Sequence, residues 1–267
     1  MARALELAVL AKRICKPNPA VGAVLVRADT VVGEGFTQPA GHAHAEIMAL
    51  EQAGERACGA TLYVTLEPCS HHGRTAPCVD ALISAGVRDV HASMIDPSPW
   101  VNGRGVDLLR LSGVCVELGE EAALAHQLNE GYFTWIECGR PFVTGVFSGS
   151  LEQVRGLMCG HDVPVVATDS MESLCDDADR VVVDRSELIV DVPSWTRAFK
   201  SLAGQDVQHV ILDANETTLE ILMQQGLVDR IALVPSEGLV KPPVAQLHRG
   251  RLVAMTLNGL VACSAGL

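Results

Sequence analysis

Two short stretches decide the fold of the first half of this chain: HAHAE at residues 42–46 and TLEPCSHHGRTAPC at residues 65–78. The spacing of apolar residues after His44 predicts a helix that begins near His44 and ends near Gly54. A compact strand is predicted at residues 60–66 and another helix at residues 77–86. Both stretches therefore place polar side chains where a loop gives way to a helix of an α/β arrangement.

Three side chains in these stretches form a set that suits zinc: the imidazole of His44 and the thiolates of Cys69 and Cys78. A catalytic zinc ion keeps three protein ligands and leaves its fourth position to water, whereas a structural site is usually closed by four. Glu46 follows His44 by two positions, as the proton-transferring glutamate does in nucleobase deaminases. The pattern predicts a zinc-dependent deaminase that contains one zinc ion and uses Glu46 as its catalytic residue.

Two other interpretations of these residues stay open at this point. The cysteines could be buried packing residues without a metal, or the zinc could be purely structural. A structural zinc would leave Glu46 without a role and would lack a fourth ligand. The other cysteines show no ligand spacing and are predicted to be packing residues: Cys15, Cys58, Cys115, Cys138, Cys159, Cys175 and Cys263.

The flanking sequence extends the α/β pattern in both directions. A helix is predicted at residues 2–15, and a hairpin at 21–26 and 30–36 around an Ala28-Asp29 turn. After the second stretch, strands are predicted at 90–95 and 114–118, with helices near Leu108 and from Glu120. The CGRP stretch at 138–141 predicts a boundary, so that domains comprise residues 1–140 and 141–267. Further strands are predicted at 142–147, 163–167, 180–183, 210–212 and 231–234.

Composition limits the class of protein. The chain has 267 residues, 48% of them hydrophobic, and contains no uncharged apolar run long enough to span a membrane. Its N-terminal residues are unlike a signal peptide, and the odd count of nine cysteines favours reduced thiols, so we expect a cytoplasmic protein. The net charge is −12, with acidic residues in excess in both halves, which disfavours nucleic-acid binding. A small molecule is the expected partner, and a homo-oligomer is possible.

Several motifs together resemble one family. They are NPAVGAV at 18–24, HAHAE at 42–46, TLEPCSHHGRTAPC at 65–78, DPSP at 96–99 and GRG at 103–105. They closely resemble the bifunctional riboflavin-biosynthesis deaminase/reductase over about residues 1–150. Most cytidine-type deaminases place two residues between the metal-binding cysteines, whereas eight intervene between Cys69 and Cys78.

The resemblance implies a fold and a substrate. It implies a cytidine-deaminase-like three-layer α/β/α domain, followed by a shortened dihydrofolate-reductase-like α/β domain. The implied substrate is 2,5-diamino-6-(5-phosphoribosylamino)pyrimidin-4(3H)-one, whose ring amine is replaced by oxygen. Arg74 is expected to contact its phosphate, with His71 as a neighbouring donor and Asn18 at the polar edge of the ring. Members of the family usually carry a histidine where this chain has Thr37, and His42 could compensate for it.

The second half departs from the family pattern. Val146 stands where the substrate-binding lysine of the reductase is expected, and Glu152-Gln153 replace Asp-Gly. Asp213 falls where a glycine-rich turn would approach the phosphates of NADPH, and its charge would repel them. We therefore expect residues 141–267 to bind no cofactor and to be an interaction or dimerisation domain without reductase activity. NADP(H) would be a cofactor only if this domain were active.

Two further functions remain as alternatives. One is the full bifunctional activity, in which the second half has diverged while keeping NADPH binding. The other is a nucleoside, nucleotide or transfer-RNA deaminase that shares the zinc chemistry. The long spacing between Cys69 and Cys78 and the lack of a basic patch argue against the latter.

Overall fold

The computed structural model describes residues 1–71, 76–148, 153, 164–167, 180–184, 192–234 and 254–255. Contacts between residues divide the chain into two compact units, Met1–Glu137 and Cys138–Leu267. No helix in the described part of the chain combines the length and the apolar character that crossing a membrane requires.

The first unit alternates helices and strands around one sheet. Its helices are α1 (Ala2–Ala11), α2 (Ala45–Ala53), α3 (Cys78–Ser84), α4 (Arg104–Leu111) and α5 (Ala122–Cys138, whose last residue begins the second unit), with a 3₁₀ turn at Gly54–Ala57. Its strands are β1 (Gly22–Arg27), β2 (Thr30–Phe36), β3 (Thr61–Val64), β4 (Asp89–Ala92) and β5 (Cys115–Leu118). The predicted elements are therefore present, and most of them are shorter than predicted. Helix α1 ends at Ala11, because residues 12–14 form a turn before the proline-rich stretch.

The strands form a sheet in the order β2-β1-β3-β4-β5. Strands β1 and β2 make the predicted antiparallel hairpin, with Ala28 and Asp29 at φ 48° and 58°. Two consecutive residues with positive φ match the twist that a two-residue hairpin turn requires. Strands β3, β4 and β5 pair in parallel, which places their carboxyl ends at one edge of the sheet.

Helices cover both faces of this sheet, and β1 is therefore buried on both sides. Val24 packs with Ala4 and Leu7 of α1, whereas the neighbouring Ala23 and Leu25 belong to the main core with Ala45 and other residues of α2. Successive side chains of a strand point to opposite faces, so α1 and α2 lie on opposite sides. The unit has the three-layer α/β/α arrangement, and the predicted α/β class is confirmed.

The described strands of the second unit form a sheet in which each adjacent pair is parallel. Its strands are β6 (Phe142–Ser148), β7 (Val165–Ala167), β8 (Arg180–Asp184), β9 (His209–Ala214), β10 (Arg230–Val234) and β11 (Ala254–Met255), in the order β11-β8-β9-β6-β10-β7. Helices α6 (Val192–Ala203) and α7 (Glu216–Gln224) supply much of its core. Trp195 and Phe199 of α6 are completely buried there, which explains where the few aromatic residues of this half are used.

Candidate active site

Two helix starts bring the predicted metal ligands together. His44 immediately precedes α2 with an extended backbone, and Cys78 is the first residue of α3. Cys69 lies in the loop that follows β3. The Sγ atoms of Cys69 and Cys78 lie 3.5 Å and 3.3 Å from the Nδ1 atom of His44. One ligand atom from each residue lies within 4.8 Å of the others, so the three form a candidate metal site.

Glycine allows α2 to approach the sheet closely beside this site. A Cβ atom at Gly35 of β2 would lie 2.2 Å from the carbonyl oxygen of Ala45, the first residue of α2. No real Cβ atom tolerates such a distance from a backbone atom. The lack of a side chain at Gly35 therefore determines where His44 and Glu46 lie relative to the sheet.

The charges of the three candidate ligands are coupled. Hydrogen bonds from the Cys78 thiol and from His44 lower the pKa of Cys69 to about 4, and the Cys78 backbone N–H also donates to its sulfur at 3.3 Å. The neighbouring Cys69 thiolate raises the pKa of Cys78 and, by hydrogen bonding, that of His44. A divalent cation would favour the thiolate form of both cysteines, since a coordinating thiol is deprotonated.

Glu46 lies in the first turn of α2 and is 4% exposed. Burial, the largest cause, and the negative Cys69 thiolate together raise its pKa to about 7, against an opposing effect of His44. A hydrogen bond with the Cys78 thiol also lowers its pKa. A carboxyl group with a pKa near neutrality can both accept and donate a proton.

A cavity of about 380 Å³ lies beside the three candidate ligands, and its volume is in the range typical of small-molecule sites. The predicted residues Asn18, His44, Glu46, Cys69 and His71 all line it, together with Thr37 and His42. Arg74 lies outside the described residues. Thr37 is buried, and its Oγ1 accepts a hydrogen bond from the Val21 N–H at 3.2 Å, so it supports the cavity wall.

Glu67 supports the site through hydrogen bonds that the sequence did not predict. Its buried carboxylate accepts hydrogen bonds of 2.8–3.2 Å from four backbone N–H groups, those of Asp96, Gly103, Gly105 and Val106. A Cβ atom at Gly105 would lie 2.1 Å from the Pro68 carbonyl oxygen. Glu67 and Gly105 thus hold the 96–106 segment against the loop that carries Cys69.

The 96–106 segment and α5 supply half of the cavity residues that the sequence analysis missed. They are Asp96, Ser98, Trp100, Val101, Tyr132, Trp135 and Ile136. Trp100 is 68% exposed, whereas Asp96 is buried and accepts a hydrogen bond from the Ser98 N–H at 2.8 Å. Burial raises the pKa of Asp96 to about 6. The DPSP motif was the available signal for Asp96 and Ser98, whereas no motif indicated the residues of α5.

The prediction for the remaining cysteines is partly wrong. Cys15 is buried as predicted, but Cys58, Cys115 and Cys138 are exposed. Cys115 begins β5, the strand at the edge of the sheet, and Cys138 ends α5. Cys159, Cys175 and Cys263 lie outside the described residues.

Comparison with known proteins agrees with this geometry. Residues 1–94 match the cytidine and deoxycytidylate deaminase zinc-binding region. The riboflavin biosynthesis protein RibD of Aquifex aeolicus is 42% identical over 216 residues, which cover 80% of this chain and 60% of that protein. The solved structure of Acinetobacter baumannii RibD, form 2, is 30% identical with a TM-score of 0.66, and the match covers 88% of this chain and 85% of that one. This chain belongs to the RibD family.

The relatives differ in how much of their own length this chain matches. RibD of Escherichia coli is 39% identical over 246 residues, and the match covers 91% of this chain and 64% of that protein. The chain thus spans about 60% of the length of the RibD proteins of Aquifex aeolicus and Escherichia coli. A diaminohydroxyphosphoribosylamino-pyrimidine deaminase of Buchnera aphidicola is 47% identical over 141 residues, which cover 53% of this chain and 96% of that protein. The RibD family therefore has a relative whose whole length corresponds to little more than the first unit.

Proposed function

We propose that the first unit is a zinc-dependent deaminase of riboflavin biosynthesis that acts on 2,5-diamino-6-(5-phosphoribosylamino)pyrimidin-4(3H)-one. The observation that carries this proposal is the convergence of a His44 ring nitrogen with the sulfurs of Cys69 and Cys78, at a cavity that His44, Cys69 and the buried Glu46 line. Membership of the RibD family supports the substrate, as does the name of the Buchnera aphidicola relative.

The donor set fits one zinc ion per chain. One imidazole nitrogen and two sulfurs are ligands that zinc prefers, and three protein ligands leave a position for water. The lowered pKa of Cys69 means that the ligand set is partly deprotonated before a metal binds. Zinc held there would supply a nucleophilic water that ionises near neutral pH.

Glu46 moves the protons in the proposed reaction. Its carboxylate accepts a proton from the attacking water and returns protons to the ring nitrogen and to the leaving amine. The oxygen of water replaces the amine nitrogen on the ring, and ammonia leaves. The raised pKa of Glu46, about 7, suits both transfers at neutral pH.

The cavity wall offers polar groups for the rest of the substrate. Asn18 carries both a donor and an acceptor and is proposed to contact the polar edge of the pyrimidine. His71 and His42 are proposed donors toward the ribose phosphate, with Arg74 as its charged partner. His42 and Thr37 both line the cavity. This supports the proposal that His42 replaces the histidine that the family usually has at the position of Thr37.

The second unit is proposed to lack reductase activity and to serve as an interaction or dimerisation domain. Val146 is buried in β6, where the family's lysine is expected, and it pairs in register with Asp213 of β9. Asp213 is 6% exposed and lies within β9 and not in a turn, so neither residue supplies the cation or the glycine-rich turn expected at these positions. Under this proposal the chain uses zinc but not NADP(H), and another protein performs the reduction.

A substrate panel tests the proposed function. Purified zinc-loaded protein is incubated with the diaminopyrimidinone ribotide, cytidine, deoxycytidylate or adenosine, and the released ammonia is measured. We expect turnover of the ribotide at least about a hundredfold above the others in kcat/KM, since a site with paired polar contacts discriminates strongly. Turnover of cytidine or deoxycytidylate alone would instead assign a nucleoside or nucleotide deaminase.

A further inference from the structure

Asn129 lies inside α5 and is 4% exposed. Helix α5 kinks at this residue, where φ is −115° and ψ is 15°. The Asn129 Oδ1 atom accepts a hydrogen bond from the Ala20 N–H at 2.7 Å, and its Nδ2 donates to the Ala20 carbonyl oxygen at 2.9 Å. One side chain therefore satisfies both backbone polar groups of a residue 109 positions away in sequence.

The Asn129–Ala20 pair joins two parts of the cavity wall. Pro17, Asn18, Pro19 and Val21 line the cavity on either side of Ala20 in sequence. Helix α5 contributes Tyr132, Trp135 and Ile136 to the same cavity, within two turns of Asn129. The position of one wall segment relative to the other therefore depends on this contact.

We propose that Asn129 is a positioning residue for the cavity's ligand, because it fixes the segment 17–21 against α5 and so holds Asn18 in place. The identity of the ligand rests on the proposed function, whereas the positioning itself does not. Asparagine is suited to this role because its amide carries one acceptor and one donor group in the geometry of a peptide bond. Removing it leaves the N–H and C=O groups of the buried Ala20 unpaired, which favours movement of the segment toward water.

Two variants separate positioning from folding. Asn129→Ala removes both hydrogen bonds. Asn129→Asp keeps the size and the acceptor but sets a carboxylate oxygen against the Ala20 carbonyl. The control is Arg56→Ala, which removes side-chain hydrogen bonds to the backbone carbonyls of Val32, Gln52 and Ala53. Arg56 is absent from the described cavity wall.

Hydrogen exchange and steady-state kinetics give the readouts. We expect peptides covering residues 17–22 to exchange roughly tenfold faster in both Asn129 variants than in wild type or Arg56→Ala. For ammonia release from the ribotide, KM should rise roughly tenfold while kcat changes less than about threefold. The zinc content should stay at the wild-type value, because the hydrogen bonds that the variants change join Asn129 to Ala20 and not to a candidate ligand.

Unchanged exchange at residues 17–22 in both variants would overturn the proposal, and so would a fall in kcat with an unchanged KM. If the wild-type protein does not turn over the ribotide, the proposed function fails, and hydrogen exchange alone then decides the positioning role. Faster exchange confined to that segment would still support it. Exchange that increases equally across the whole unit would show a general stabilising role instead.

Discussion

At the residue scale, the burial of Glu46 suits it to proton transfer but lowers the stability of the protein at neutral pH. Its carboxyl group is buried at the start of α2, and this raises its pKa from 4.5 to about 7. A raised pKa for an acid means that the folded state prefers the protonated form. The contribution of Glu46 to the free energy of unfolding is fully present below pH 4.5, where the unfolded chain is also protonated. This contribution is lost as the pH rises through about 7.

The stability of Glu46→Gln relative to wild type should therefore depend on pH in the metal-free protein. Glutamine has no charge to bury. The free energy of unfolding of the variant minus that of wild type should therefore increase by about 3 kcal/mol as the pH rises from about 4.5 to above about 7. Urea unfolding at several pH values measures this difference. Comparing the two proteins at each pH isolates the contribution of Glu46 together with its interaction with the Cys69 thiolate. A constant difference across this range would contradict the assigned pKa.

Substitution of single cysteines distinguishes the zinc ligands from the other cysteines. Cys78→Ser should reduce bound zinc from about one ion per chain to below about a tenth, since a serine hydroxyl is a poor zinc ligand. Cys58→Ser is the matched control, because Cys58 is exposed and lies outside the candidate set. Metal analysis after dialysis measures both proteins. Equal zinc contents in the two variants would remove Cys78 from the ligand set.

At the element scale, the contact between α2 and β2 places the site. We predict that Gly35→Ala destabilises the protein by about 2 kcal/mol or more, because its Cβ atom would meet the Ala45 carbonyl oxygen at 2.2 Å and displace α2. The zinc content should fall as well, since His44 and Glu46 move with that helix.

Gly204→Ala provides the control for this substitution. A Cβ atom at Gly204 would come no closer than 3.5 Å to the atoms around it. Thermal unfolding and metal analysis of both variants test the prediction. Equal stability and zinc content for the two variants would show that α2 tolerates displacement.

Local patterns in the sequence predicted most of these elements and the four central site residues. The periodicity of α2 and the alternation of β1 and β2 are local properties, as is the spacing of His44 and Glu46. The four N–H groups on Glu67 and the pairing of Asn129 with Ala20 were not predicted. They join residues 29 to 109 positions apart, and such contacts depend on the assembled fold. The exposed Trp100 carries no local signal, because its place in the cavity wall depends on how the 96–106 segment folds.

At the scale of the whole molecule, the two units are predicted to differ in activity. We expect this 267-residue chain to oxidise no NADPH with 5-amino-6-(5-phosphoribosylamino)uracil, because buried Val146 and Asp213 stand where the lysine and the glycine-rich turn of a reductase are expected. Absorbance of NADPH at saturating cofactor measures this, with ammonia release from the diaminopyrimidinone in the same sample as the control for active protein. Sustained NADPH oxidation would show that the second unit is a working reductase.

The central claim is that zinc at His44, Cys69 and Cys78 and the proton-transferring Glu46 together deaminate the diaminopyrimidinone ribotide. The most direct measurement is ammonia release by zinc-loaded wild type and Glu46→Gln, with zinc content determined in the same samples. We predict equal zinc contents and a loss of at least about a hundredfold in kcat for the variant, as expected when a general acid–base group is removed. Equal rates of ammonia release by the two proteins would contradict the account.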